Sequence, residues 1–144
     1  MFSISEIMPN LYLGSAKHFT RQTDEFKNLG IDVIINCCCE YTHKPNPDFI
    51  IENYPIRDGF DATITEYLDP VTDKIKYYLD QNKKVYVHCV FGKSRSPSII
   101  IYYLMKYQHK TFDEAYKYVM SKRPIISINM NFLKELRAGG TRLG

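Results

Sequence analysis

The 144-residue sequence contains no tryptophan, and glycine and proline are sparse at 7 each. Collagenous and low-complexity chains are thereby excluded. No apolar run approaches the ~20 residues of a membrane-spanning helix, so no membrane span is expected. The segment MFSISEIMPN lacks a basic stretch followed by an apolar one, so no signal peptide is expected, and Phe2 in place of glycine gives no expectation of N-myristoylation. Cysteine is limited to Cys37, Cys38, Cys39 and Cys89. Three adjacent cysteines in an apolar run do not resemble a secreted disulfide framework. There is no CxxC pair, and His18, His43, His88 and His109 lack ligand spacing, so neither a metal nor a cofactor is expected. These absences suggest free thiols in a reducing compartment, the cytoplasm, with nuclear entry open to so small a chain.

What is present fits one globular domain over residues 1–144, with 44% hydrophobic and 24% charged residues. The net charge of +3 and pI near 8.6 suit an anionic ligand but are too small to indicate nucleic acid. Many of the 12 tyrosines fall at helical spacing in IYYLMKY and AYKYVM. They read as packing residues rather than a base-stacking platform, so no nucleic-acid partner is expected.

Strand and helix patterns alternate. LYLGS (Leu11–Ser15) reads as a strand, Phe19–Leu29 as a helix stopped by Gly30, and Ile31–Cys39 as a buried strand. Pro45, Asn46 and Pro47 mark a turn, and Phe49–Ile56 reads as another strand. Asp58-Gly59 marks a loop. Asp69-Pro70 reads as a cap and first helical residue, with Val71, Ile75, Tyr78 and Leu79 on one face. KKVYVHCV is the next strand, and a helix opens at Ser96-Pro97. Thr111 and Glu114 form a capping box for a helix through Met120, Pro124 stops it, and Asn129–Arg137 is a last amphipathic helix. The tail AGGTRLG is expected to be flexible. This order predicts an α/β fold: a central, largely parallel mixed sheet of about five strands flanked by helices.

The chemistry concentrates in VYVHCVFGKSRSP, Val85 to Pro97. A buried strand ends on Cys89, a turn follows, and a helix begins near Ser94–Pro97. Backbone N–H groups of Val90, Phe91, Gly92, Lys93 and Ser94 in such a turn, beside a helix N-terminus, make an anion nest. Helix N-termini and cations favour the thiolate form, so Cys89 is expected to react as a nucleophile. Arg95 adds a planar fork that matches two phosphate oxygens. A structural cysteine before an ordinary turn would leave Gly92, Arg95 and Ser96 without a purpose.

His88-Cys89 followed by Arg95-Ser96 resembles the HCxxGxxR[ST] signature of cysteine-based protein tyrosine phosphatases, and the continuation SRSP resembles the dual-specificity branch. The resemblance extends to IMPNLYLGS, IDVIINCCCE and RPIISINMNFLKEL, so it spans nearly the whole chain. It implies a two-step hydrolysis of phosphotyrosine and phosphoserine/threonine in proteins through a cysteinyl-phosphate. Cys89 would be the nucleophile, and an aspartate after the YPI strand the general acid. Asp58 matches the family position better than Asp61, though both are also natural turn residues. Ser96 would assist departure of the thiolate. His88 would hydrogen-bond within the loop and help hold Cys89 ionised. Asn129 would steady the phosphate loop or cap the last helix.

Phe91 stands where many members have alanine and is expected to shape the pocket rim. Lys93 would favour acidic substrates or simply be solvated. One of Cys37, Cys38 and Cys39 could pair reversibly with Cys89 on oxidation, or all three are core residues. The same chemistry on a phosphoinositide or an RNA 5′-phosphate, and a catalytically silent phospho-residue binder, are the alternatives. The sequence does not indicate an oligomeric state.

Overall fold

The computed structural model describes residues 4–143. In chain order the elements are β1 (Ile4–Met8), β2 (Leu11–Ser15), α1 (Ala16–Arg21), α2 (Thr23–Leu29), β3 (Val33–Asn36), β4 (Ile50–Asn53), α3 (Thr65–Leu79), β5 (Val85–Cys89), α4 (Arg95–Tyr107), α5 (Phe112–Lys122) and α6 (Met130–Leu143). The sheet has the order β1-β2-β5-β3-β4. Only the β1/β2 pair is antiparallel; β2, β5, β3 and β4 run parallel. The largely parallel five-stranded sheet expected from the alternation is therefore present, with β5 at its centre.

Side-chain alternation assigns the two faces. Leu11, Leu13, Val33, Ile35, Val85 and Val87 join the larger core, with Val71, Ile75, Ile100, Phe132 and Leu136 from the helices beyond β4. Ile34 and Tyr86 face the other way and pack with Phe19, Phe26, Ile31 and Phe49. All five residues of β5 are buried. Such a strand ends beneath protein on both faces, and its carboxyl end is where open α/β sheets bind ligands.

Several local expectations are corrected. The single helix over Phe19–Leu29 is two, broken at Gln22. Thr23 Oγ1 donates to the Phe19 carbonyl at 2.9 Å, taking the acceptor that a continuous helix would give to its backbone N–H. The Ile31–Cys39 strand is shorter because Asn36 closes it: its Oδ1 accepts from Cys38 N at 3.0 Å while Nδ2 donates to Asn53 at 2.9 Å. Helix α3 begins at Thr65, with Pro70 inside it, rather than at Asp69-Pro70. Its N-terminus is capped from α6: Glu135 Oε1 accepts from Ile64 N at 2.9 Å and Thr65 N at 2.8 Å. Asp69 serves instead as acceptor for Tyr102 and Lys106. The tail expected to be flexible is helical through Leu143. Gly139 permits this, since a Cβ there would stand 2.8 Å from the Tyr102 ring of α4. The capping box of Thr111 and Glu114 is present as expected. Among the described residues, no helix is long and apolar enough to cross a membrane.

Candidate active site

Cys89 ends the central strand, and the chain turns directly into α4. The turn is held by its carbonyl oxygens. That of Cys89 accepts from His88 Nδ1 at 2.9 Å, and that of Val90 from Ala16 N at 3.1 Å. Arg123, itself buried, donates to the carbonyls of Phe91 (Nη2, 3.1 Å) and Gly92 (Nε, 2.8 Å). Ser127 N holds the Lys93 carbonyl at 2.8 Å, and Ser98 holds that of Ser94 through its N–H and Oγ at 3.0 and 2.7 Å. Every carbonyl from Cys89 to Ser94 is thus tied to a donor outside the turn. No described peptide bond is cis, and across a trans peptide the N–H points opposite to the C=O. The amides of Val90 through Arg95 therefore face the inner side of the turn. Gly92 makes this path possible: its φ is 68°, and a Cβ would lie 2.5 Å from the Gly14 carbonyl oxygen and 2.8 Å from Arg123 Nη2.

Arg95 is the first residue of α4 and is buried. Its Nη1 donates to Glu40 Oε1 at 2.6 Å and to the Ile56 carbonyl at 2.9 Å, while Nη2 donates to Glu40 Oε2 at 2.9 Å. One edge of the guanidinium is fully engaged. On the other edge Nε is buried with no hydrogen-bond partner. A buried unpaired donor is costly, and here it lies on the edge that, with the second Nη2 hydrogen, forms a two-pronged fork. The Arg95 hydrogen bonds hold the Glu40 carboxyl down at about 2. Burial disfavours the Arg95 charge, yet the Glu40 contact more than offsets it and its pKa lies above the ordinary value.

Ser96 Oγ lies 3.1 Å from Cys89 Sγ, both side chains buried. His88 Nδ1 must be the donor to the Cys89 carbonyl, so its Nε2 accepts from His43 Nε2 at 2.8 Å. Burial pushes the His88 imidazole down to about 3, and lowers His43 as well. His88 is therefore neutral and acts through hydrogen-bond geometry, not charge.

The two aspartates of the preceding loop go different ways. Asp58 Oδ1 accepts from Asn129 Nδ2 at 2.9 Å, and its charge contributes to the raised Arg95 pKa. Asp61 faces Arg57 at 3.5 Å in an exposed pair. Asn129 combines both roles considered for it: Oδ1 accepts from Asn131 N at 2.8 Å as a helix cap, Nδ2 also holds the Gly59 carbonyl at 2.6 Å, and its N–H donates to Ser94 Oγ at 3.0 Å. Phe91 and Lys93 are exposed on the turn. Cys37 and Cys38 are buried, and burial pushes Cys38 up to about 11 and Cys37 well above the ordinary thiol value. Such thiols behave as core residues, whereas Cys39 is exposed and corrects the expectation that all three lie in the core.

Sequence reasoning missed Glu40, Arg123 and His43. Arg123 stood in the quoted RP segment without a role. Glu40 immediately follows the Ile31–Cys39 segment expected to be a buried strand, and in a largely parallel sheet the strands' carboxyl ends come together; that was its available signal.

The sequence profile of the dual specificity phosphatase catalytic domain matches residues 11–141. The chain is 40% identical over 136 residues to human dual specificity protein phosphatase 16, covering 92% of this chain and 20% of that protein. It is 36% identical over 131 residues to dual specificity protein phosphatase 1-A of Xenopus laevis, covering 91% and 35%. The chain thus spans 20% and 35% of the length of these two relatives. The structure of the human tyrosine phosphatase-like serine/threonine/tyrosine-interacting protein superposes with a TM-score of 0.86 at 27% identity, covering 96% of each chain.

Proposed function

Because the chain belongs to the dual specificity phosphatase catalytic-domain family, we propose that it is a cysteine-dependent phosphatase of phosphorylated proteins, acting on phosphotyrosine and phosphoserine/threonine. One observation carries this reading: six consecutive carbonyls from Cys89 to Ser94 are tied outward, which turns the amides of 90–95 inward beside the free Nε edge of Arg95. That donor set fits the three non-bridging oxygens of a phosphoryl group above Cys89 Sγ.

In the first step Cys89 Sγ attacks phosphorus, the S–P bond forms, and the P–O bond to the leaving group breaks. Asp58 delivers a proton to that oxygen, a contribution of roughly 10²–10⁴ in rate. In the second step Asp58, now ionised, takes a proton from a water that attacks the cysteinyl-phosphate. The S–P bond breaks with its electrons on sulfur, where Ser96 Oγ donates a hydrogen bond to the departing thiolate, and inorganic phosphate leaves. Arg95 and the loop amides hold the equatorial oxygens throughout. Free cysteines suit a reducing compartment such as the cytoplasm.

Hydrolysis of para-nitrophenyl phosphate in EDTA and dithiothreitol tests the reading. Wild type should turn over under these conditions, Cys89→Ser should be inactive, and Asp58→Ala should be slowed. Full activity in Cys89→Ser would refute it. Turnover of a phosphoinositide in place of phosphopeptides would refute the protein substrate class.

A further inference from the structure

Four large apolar side chains stand exposed on segments stitched to the Cys89–Arg95 turn. Phe60 is 94% exposed, Met130 70%, Phe91 65% and Ile125 48%. Phe60 follows Asp58-Gly59, and its carbonyl accepts from Asn131 Nδ2. Met130 adjoins Asn129, which bonds Asp58, Gly59 and Ser94. Phe91 lies in the turn itself. Ile125 lies between Arg123, which holds the turn's carbonyls, and Ser127, which holds that of Lys93. Scattered apolar residues on a surface need no explanation. Here the four lie on the turn itself, on the loop of the proton donor and on the stretch 125–130, whose neighbours hydrogen-bond to both, and together they make up an apolar collar on the segments that build the site.

We propose that this collar is the docking surface for the polypeptide flanking the phosphoresidue, and that it selects segments with large apolar side chains beside that residue over acidic ones. The proposal rests on the phosphatase reading above. Charge around Phe60 is close to balanced, because Asp61 is paired with Arg57 at 3.5 Å and Lys93 stands on the turn, so a glutamate flank gains neither apolar burial nor a net attraction. An anionic lipid surface would find only Lys93 and the Asp61-paired Arg57 there, whereas membrane-binding apolar faces are bordered by clustered cations. An apolar-flanked peptide needs no charge partner there, and burying phenyl and thioether surface supplies its affinity.

The test compares two phosphopeptides, one with leucine on each side of the phosphoresidue and one with glutamate there, alongside para-nitrophenyl phosphate. Wild type should favour the leucine peptide by roughly tenfold in kcat/KM, the scale of one well-buried apolar contact. Phe60→Ala and Met130→Ala should each lose about three- to fivefold on the leucine peptide only, leaving para-nitrophenyl phosphate and the glutamate peptide unchanged. Equal turnover of both peptides by wild type overturns the proposal. So does co-sedimentation with phosphatidylcholine vesicles containing a phosphatidylinositol monophosphate that is abolished in Phe60→Ala, since the collar would then serve a membrane. A dimer in sedimentation velocity that dissociates when Phe60→Ala and Met130→Ala are combined also overturns it. Inactivity of wild type toward para-nitrophenyl phosphate would refute the phosphatase reading alone; calorimetric binding of the two peptides to Cys89→Ser then decides the collar by the same tenfold criterion.

Discussion

Glu40 grips Arg95 by two hydrogen bonds, 2.6 and 2.9 Å, along one edge of the guanidinium and leaves Nε on the other edge unpaired. The pair fixes the plane in which the arginine can receive a tetrahedral anion. Glu40 is 49% exposed at its side chain, so the pair adds less than about 1 kcal/mol to stability. Its effect should therefore appear in binding. Glu40→Gln places an amide N–H against Nη2 and should raise KM for para-nitrophenyl phosphate roughly tenfold, with the melting temperature nearly unchanged. Steady-state kinetics with a thermal melt check this, and an unchanged KM would show that Arg95 needs no orienting partner.

Gly92 is confined by its neighbours as well as by its φ of 68°. A methyl group there meets the Gly14 carbonyl at 2.5 Å and Arg123 Nη2 at 2.8 Å, and Arg123 belongs to the frame that turns the amides inward. Gly92→Ala should cost about 1–3 kcal/mol of stability from backbone strain and lower kcat/KM by roughly 10² or more, because displacements near 1 Å have that effect on a positioned site. Near-normal kinetics in a folded Gly92→Ala protein would mean that the path of the turn does not govern activity.

What was legible follows from distance along the chain. The nucleophile, the nest and the arginine occupy Cys89 to Ser96, so residue types and spacing expose them together. The sheet was legible because β2, β3 and β5 are apolar runs bounded by breakers. Glu40 and His43 reach the turn from 55 and 45 residues away in sequence, contacts that no local rule anticipates. The start of α3 illustrates the converse. Asp69-Pro70 satisfies a local capping rule, yet Glu135, 70 residues from Thr65, caps the helix a turn earlier. Local propensity lost to a tertiary hydrogen bond.

Asn129 holds Asp58 at 2.9 Å and the Gly59 carbonyl at 2.6 Å, so it tethers the loop carrying the proton donor. Loss of a general acid hurts most when the leaving group is a poor one. Asp58→Asn should reduce kcat for phenyl phosphate by roughly 10²–10³ and for para-nitrophenyl phosphate by less. Asp61→Asn should be close to wild type. Asn129→Ala should show an intermediate loss with the same leaving-group dependence, plus about 1 kcal/mol of stability from the lost helix cap. If Asp61→Asn instead carried the leaving-group effect, the donor assignment would move to Asp61.

His88 and His43 form a neutral, hydrogen-bonded pair beneath the turn, 2.8 Å between their Nε2 atoms. Burial lowers both pKa values, that of His88 to about 3. The unfolded chain, with histidines near 6.5, binds more protons than the folded one below that pH, so stability rises with pH. The contribution of His88 is fully present above about pH 6.5 and is lost progressively toward its folded value near 3. Each pH unit in that interval should remove up to about 1 kcal/mol. Glu40, lowered to about 2, adds to the loss only below the ordinary carboxylate range. Urea unfolding at pH 7, 6 and 5, spacings of about one unit chosen to isolate the histidines, should show a falling midpoint in wild type. His88→Asn keeps a donor for the Cys89 carbonyl and removes the titrating ring, so its pH dependence should flatten. An equally steep fall in His88→Asn would assign the acid sensitivity to groups outside this pair.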